Sequence, residues 1–276
     1  MSFDMGKAWS HAVDMVWENF QLLAVLAGIF LLLPTVATYL LFPEFRSLME
    51  PGLTQEQTMA LVEANALPIT IISLVAAALQ FAGYGAIIAL VGRARPTVGQ
   101  AIATGIRIVP STFAILIAFI FIYILLAALV VLPFALLGSL LGAAALGVFA
   151  VPLVLLAVVW LMARLSMSMP ALVLDISLNP FRAMGRSFRL TRAVQWRLVA
   201  FWGILIVTFT IITLLVTGVF GVIAALIGDG TTSALVLGLV NGFIQAIFGM
   251  MICALAVAIY QQLAGTGPGG MAQTFE

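Results

Sequence analysis

Six apolar segments constrain this chain more than any other feature: residues 21–42, 69–91, 112–132, 140–163, 198–227 and 234–260. None of them contains a charged side chain. A helix of roughly 20 apolar residues crosses the ~30 Å hydrocarbon core of a bilayer, and each segment is long enough. The last two exceed the need and are expected to tilt or to run past the interface. Only 8% of the residues are charged, against about a quarter in a soluble domain. A water-soluble fold could not hide this much apolar surface, so lipid is the expected solvent. The predicted fold is all-α, a polytopic bundle of six transmembrane helices.

The basic residues give that bundle a direction. Lys7, Arg93, Arg95, Arg107, Arg164, Arg182, Arg186, Arg189, Arg192 and Arg197 fall in the N-terminal stretch and in alternate connections, and only Arg46 falls on the other side. Loops rich in Lys and Arg stay cytoplasmic, which predicts both termini inside. The 43–68 connection carries Glu44, Glu50, Glu56 and Glu63 against Arg46, and the last loop carries only Asp229. The expected location is a bacterial cytoplasmic (inner) membrane, with multiple passes. Residues 133–139 are uncharged and read as a tight hairpin between the third and fourth segments. No short apolar core with a cleavage site opens the chain, so a removable signal peptide is not expected. The 261–276 tail, with its Gly-Thr-Gly-Pro-Gly-Gly run, reads as disordered.

Three shorter stretches are amphipathic. In residues 1–20, Trp9, Val13, Val16, Trp17 and Phe20 recur at helical spacing while Asp4, Lys7, His11, Asp14 and Glu18 face elsewhere. This predicts an interfacial helix with its tryptophans at headgroup depth. Thr54-Gln-Glu-Gln57 is a capping-box start for a short helix in the 43–68 loop. The third is a basic elbow over residues 179–196, where Asn179 suits an N-cap and Pro180 the first helical position. The stretches from Arg95 to Arg107 and from Asn179 to Arg189 share a proline start and an Ala- and Gly-containing amphipathic run. They read as a parallel repeat, to be judged by shared geometry.

Chemistry-bearing residues are few. One histidine, one cysteine and no cluster of carboxylates leave no metal site, no cofactor site and no catalytic residue to name. The basic residues are too local for a nucleic-acid face. On the elbow, Arg182, Arg186 and Arg189 form one stripe, continued by Arg192, with Phe181, Met184 and Phe188 as the apolar face. Two readings stand. The arginines orient the elbow at the headgroups, or with the bundle they form a specific site for an anionic lipid headgroup. Asp175 reads as a salt-bridge partner for a nearby arginine. Within the membrane, Gln80 and Tyr84 lie four apart, as do Asn241 and Gln245. This polar cluster serves either interhelical hydrogen bonding or a small pocket. Gly238, Gly242, Ala246 and Gly249, and likewise Gly138 and Gly142, mark close helix approach. Pro34 and Pro152 are expected to kink their spans.

An amphipathic N-terminal helix ending in Asn19-Phe20, a proline-containing elbow, Pro170-Ala, and Ala183-Met-Gly-Arg-Ser-Phe-Arg-Leu-Thr-Arg192 occur in this order. The pattern resembles the glycerophosphoryl diester phosphodiesterase membrane domain family and related six-span bacterial inner-membrane proteins. The resemblance implies architecture and a link to lipids. It does not imply phosphodiesterase activity, since this chain has no soluble segment long enough for the fused catalytic domain. The expected role is non-catalytic: a lipid-associated structural or accessory membrane protein, with membrane lipids, anionic ones first, as partners. The alternative is a small uncoupled transporter or permease for a lipid or small solute. Ion coupling is disfavoured because the spans lack ionisable acids and histidine. A homodimer or a partner membrane protein stays open.

Overall fold

Six helices long and apolar enough to cross a bilayer account for the six segments. The structure is a computed structural model and describes residues 3–42, 54–92, 96–141, 148–228 and 230–265, with no strand among them. The chain begins with α1 (Met5–Glu18) and the first span, α2 (Phe20–Leu41). A short α3 (Gln55–Ala64) precedes α4 (Ala66–Gly92) and the long α5 (Val98–Leu141). Then come α6 (Ala150–Leu165), α7 (Ser168–Leu174) and α8 (Pro180–Thr191). A 3-10 turn (Arg192–Val194) leads into α9 (Gln195–Ile227), and α10 (Gly230–Ala264) closes the chain. Arg46, Arg93, Arg95, Asp229, Gly142 and the 266–276 part of the tail lie outside the described residues.

Local chemistry explains most of the boundaries. The α3 capping box forms as expected: Gln57 N–H donates to Thr54 Oγ1 at 3.2 Å, and Thr54 N–H to Gln57 Oε1 at 2.9 Å. A second box, Thr97 with Gln100, opens α5 at 3.2 and 3.1 Å. Its Thr-x-x-Gln spacing is in the sequence but was not among the predicted caps. Between α1 and α2 the chain leaves helical geometry at Asn19, where the side-chain amide donates to Met15 O at 3.0 Å. That bond satisfies one of the carbonyls a helix end leaves open. Trp9 and Trp17 are exposed, while Phe3, Ala8, Ala12 and Met15 are buried.

Pro34 produces a π-helical turn, Gly28–Leu32, after which Leu33 N–H donates to Gly28 O. Proline has no amide to give and its ring collides with the carbonyl four residues back. One extra residue in the preceding turn relieves that collision, as π-bulges commonly do.

The structure corrects four expectations. Residues 133–139 are not a hairpin, because α5 runs 44 residues to Leu141 through both Pro110 and Pro133. In hydrocarbon a broken helix strands backbone groups, so proline is tolerated within it, and Ser139 Oγ donates to Leu136 O at 2.8 Å without ending the helix. Pro152 does not interrupt a span, since α6 starts at Ala150 and places it in the first turn, where a missing amide costs little. Gln261–Ala264 continue α10 instead of starting a disordered tail. There the Gln262 side-chain amide pairs both ways with the Asp4 backbone at 3.4 Å. The expected apolar face of α8 also splits. Met184 is buried and Phe188 half-buried, but Phe181 is 76% exposed, leaving it to the surrounding solvent or lipid.

Two compact units divide the chain. The first comprises the described residues within Met1–Ser10, Pro110–Ile206 and Ala256–Glu276, and the second His11–Val109 and Val207–Leu255. In the first unit, Leu161, Leu165 and Met184 form a core flanked by Ile115, Phe119, Ile122, Trp160 and Phe188. In the second unit, glycines bring helices together. A Cβ on Gly249 would stand 2.5 Å from Leu31 Cδ1, and one on Gly242 3.1 Å from Leu32 O, so the small-residue stripe of α10 seats α2. Gly85 and Gly105 do the same for α4 and α5, where a Cβ on Gly105 would run into the backbone of Ala82. The stripe therefore serves packing within the chain.

Candidate functional site

The elbow is built from the end of α7. Ala171, Leu172 and Val173 are buried, which anchors the helix. Its last turn closes with Asp175 N–H donating to Ala171 O at 3.1 Å. Ile176 follows at φ 53°, a left-handed conformation that glycine normally supplies after a helix. A β-branched residue there costs on the order of 1–3 kcal/mol. Ser111 Oγ donates to Leu178 O at 2.6 Å and pins the connection. Asn179 Oδ1 then accepts from Arg182 N–H at 3.1 Å, so the predicted N-cap forms and Pro180 takes the first helical position.

Helix α8 has two unlike faces. Ala183, Met184, Ser187 and Thr191 are buried, and Ser187 Oγ donates to Arg164 O at 2.5 Å. On the other face Arg182, Arg186 and Arg189 line one cavity of about 630 Å³ with Asp175, Ser177 and Asn179. Arg186 Nε lies 2.8 Å from Asp175 Oδ2 and 3.2 Å from Tyr260 Oη, while Tyr260 Oη donates to Asp175 Oδ1 at 2.6 Å. Asp175 is thus the expected salt-bridge partner. Tyr260, the third member, was not anticipated: it sits at the end of the last apolar segment, where a tyrosine reads first as an interface anchor. The triad holds the Arg186 guanidinium by its Nε. Three guanidinium groups against one carboxylate leave two excess positive charges on the cavity wall.

Arg192, the fourth expected headgroup residue, begins the 3-10 turn, is exposed, and does not line the cavity. Arg164 behaves differently again. It is only 8% exposed, and Nη1 donates to Thr191 Oγ1 at 3.0 Å. The guanidinium carbon lies 4.7 Å from the Phe188 ring centre and 5.9 Å from that of Trp160. Nε finds no hydrogen-bond partner among the described residues. Among the described residues no carboxylate pairs with it, and aromatic faces offset the charge instead.

The second unit holds the intramembrane polar residues. Gln80 and Gln245 come together on a cavity of about 290 Å³, with Pro34, Thr35, Thr38, Tyr39 and Ser73. Thr35 Oγ1 lies 3.1 Å from Gln245 Oε1 and 2.8 Å from Leu31 O. Tyr84 joins through a hydrogen bond with Gln245. Asn241 turns away: its amide donates to Leu237 O of its own helix at 2.9 Å. Thr35, Thr38 and Tyr39 were not among the predicted site residues. Their signal was legible, since polar residues three and four apart after Pro34 share one helix face.

The 95–107 and 179–189 stretches both begin at a capped helix N-terminus, Thr97 and Asn179. Beyond the cap they differ: the first is continuous with the span in α5, and a 3-10 turn separates the second from α9. Comparison of the chain with protein-family models, curated proteins and solved structures finds no match.

Proposed function

We propose that this multi-span membrane protein has a non-catalytic, lipid-associated role, and that the elbow cavity holds the phosphate of an anionic lipid headgroup. The observation that carries the reading is the convergence of Arg182, Arg186 and Arg189 on one cavity with a single opposing carboxylate. Guanidinium groups match phosphate oxygens in a planar, bidentate way. The Asp175–Arg186–Tyr260 triad supports it by fixing one of the three in place before a ligand arrives. Exposed Phe181 beside the cavity suits the acyl-chain side of a headgroup. The charge pattern supports placing the elbow and both termini on the cytoplasmic side of a bacterial inner membrane.

The test is lipid retention. The full chain is placed in nanodiscs containing both zwitterionic and anionic phospholipid, and co-purifying lipid is identified by mass spectrometry. Each basic group near an anionic surface contributes about 1 kcal/mol. Arg182→Gln, Arg186→Gln and Arg189→Gln together are therefore expected to cut anionic-lipid enrichment at least about tenfold. Equal enrichment in wild type and triple variant would overturn the reading. Selective solute flux through liposomes without lipid enrichment would favour the uncoupled permease, the reading that the intramembrane cavity recommends.

A further inference from the structure

The cavity between α2, α4 and α10 is a second candidate site, and its chemistry is opposite to that of the elbow. Its polar lining consists of amides and hydroxyls, with no ionisable acid, base or histidine. A charged ligand would find no counter-charge there, and charge in a membrane interior is costly.

The hydrogen bonds identify which groups await a partner. Thr35 has one hydroxyl proton, and Leu31 O at 2.8 Å is the nearer acceptor. Gln245 is engaged as well: its Oε1 lies 3.1 Å from Thr35 Oγ1, and its side chain bonds Tyr84. Thr38 is likewise committed, to Pro34 O at 2.9 Å. Gln80, Tyr39 and Ser73 remain. All three line the cavity, and none has a hydrogen-bond partner among the described residues. Together they present two amide protons, a carbonyl, a phenolic hydroxyl and a serine hydroxyl, of which Gln80 and Tyr39 offer the larger reach. Lipid tails cannot satisfy such groups.

An occupant must therefore donate and accept hydrogen bonds, carry no net charge, and fit about 290 Å³. Water takes about 30 Å³ per molecule in the liquid, so one or two ordered waters leave most of the space empty. Ile72, Ala76 and Ala77 supply an apolar wall for an alkyl portion. We propose that this cavity binds an uncharged hydroxyl-bearing molecule, its hydroxyl on Gln80 and Tyr39 and its alkyl part on α4. The hydroxyl can come from a membrane-dissolved alcohol or from a small water-borne polyol. The proposal does not depend on the arginine cavity.

Photolabelling tests it. The full chain in zwitterionic nanodiscs is exposed to three diazirine probes of equal length: an octanol, an octane and an octanoate. Labelled positions are mapped by mass spectrometry. The octanol is expected to label residues 34–39 and 72–80 about tenfold more than either other probe, the selectivity one or two hydrogen bonds provide. Gln80→Leu with Tyr39→Phe should bring octanol labelling down to the octane level. Ala77→Leu keeps every polar group and fills the space, so it should reduce labelling too, and it decides the matter if the double variant misfolds. Competition by free glycerol assigns the site to a water-borne polyol, and its absence to a membrane-dissolved alcohol. Equal labelling by octanol and octane, preference for the octanoate, or indifference to Ala77→Leu would each overturn the proposal.

Discussion

The elbow cavity and the intramembrane cavity are built by similar means and lined by opposite chemistry. Each lies beside a helix irregularity, the left-handed Ile176 in one case and the π-helical turn before Pro34 in the other. Each gathers side chains from more than one helix. The elbow uses three guanidinium groups and a carboxylate, and its Arg186–Asp175 pair stays 42% and 35% exposed. The other cavity uses only amides and hydroxyls. With the elbow at the membrane interface, as proposed, solvent accounts for the difference. A partly wet interface screens charge and makes it affordable, whereas hydrocarbon penalises a lone ion and tolerates neutral groups that bond one another.

Moving a charge from one setting to the other should break this division, with the largest effect. Gln245→Lys puts an ammonium beside Thr35 and Tyr84 with no carboxylate among the described residues of the cavity. A lysine at mid-membrane depth costs about 3 kcal/mol on insertion scales. The variant is expected to lose most of its monodisperse yield in mild detergent and to unfold well below wild type. Arg189→Gln, which removes an exposed charge at the elbow, should stay within about 0.5 kcal/mol of wild type. Comparable destabilisation of the two variants in a thermal melt would dissolve the distinction.

A middle case sharpens it. Arg164 belongs to the elbow unit yet is buried, and it depends on Thr191 Oγ1 and two aromatic rings. Thr191→Val keeps the shape and removes the acceptor. An unmet buried donor costs about 1–3 kcal/mol, so denaturation should shift by that amount. The same change at half-buried Thr58, whose hydroxyl back-bonds to Thr54 O at a solvent-exposed position of the helix, should not register. No difference between the two would mean that the rings alone sustain the Arg164 charge.

Sequence patterns announced these regions unevenly. Uncharged runs located the six spans, because the length of apolar helix needed to cross a bilayer is a strict physical requirement. Asn179-Pro180 located the start of α8, because cap chemistry is local. The 133–139 hairpin failed for the converse reason: within hydrocarbon a proline does not end a helix, so local turn signals lose their force. Arg182, Arg186 and Arg189 converge because helical spacing alone puts them on one face. Tyr260 reaches Asp175 across 85 residues, and no periodicity encodes a contact of that range. Gln80 and Gln245 share one cavity, but Asn241, four residues from Gln245, bonded its own helix instead. Spacing fixes a face; it does not say which acceptor a side chain on that face will take.

The smallest stability effect is expected at Asp175, where the two sites would diverge most in function. Asp175→Asn removes the carboxylate from a pair that is more than one-third exposed. Exposed pairs contribute about 0–1 kcal/mol, so the fold should barely register the change. Lipid binding should respond in the opposite sense. With three guanidinium groups and no carboxylate the excess charge rises from two to three, and one added charge near an anionic surface is worth about 1 kcal/mol, roughly a fivefold gain in anionic-lipid retention. That gain should shrink at high salt, because charges beyond a Debye length of about 3 Å at 1 M are screened. Octanol labelling of the intramembrane cavity should not change. A loss of lipid instead of a gain would mean that Asp175 acts by positioning Arg186, and that the geometry of the triad, more than the net charge of the elbow, selects what it holds.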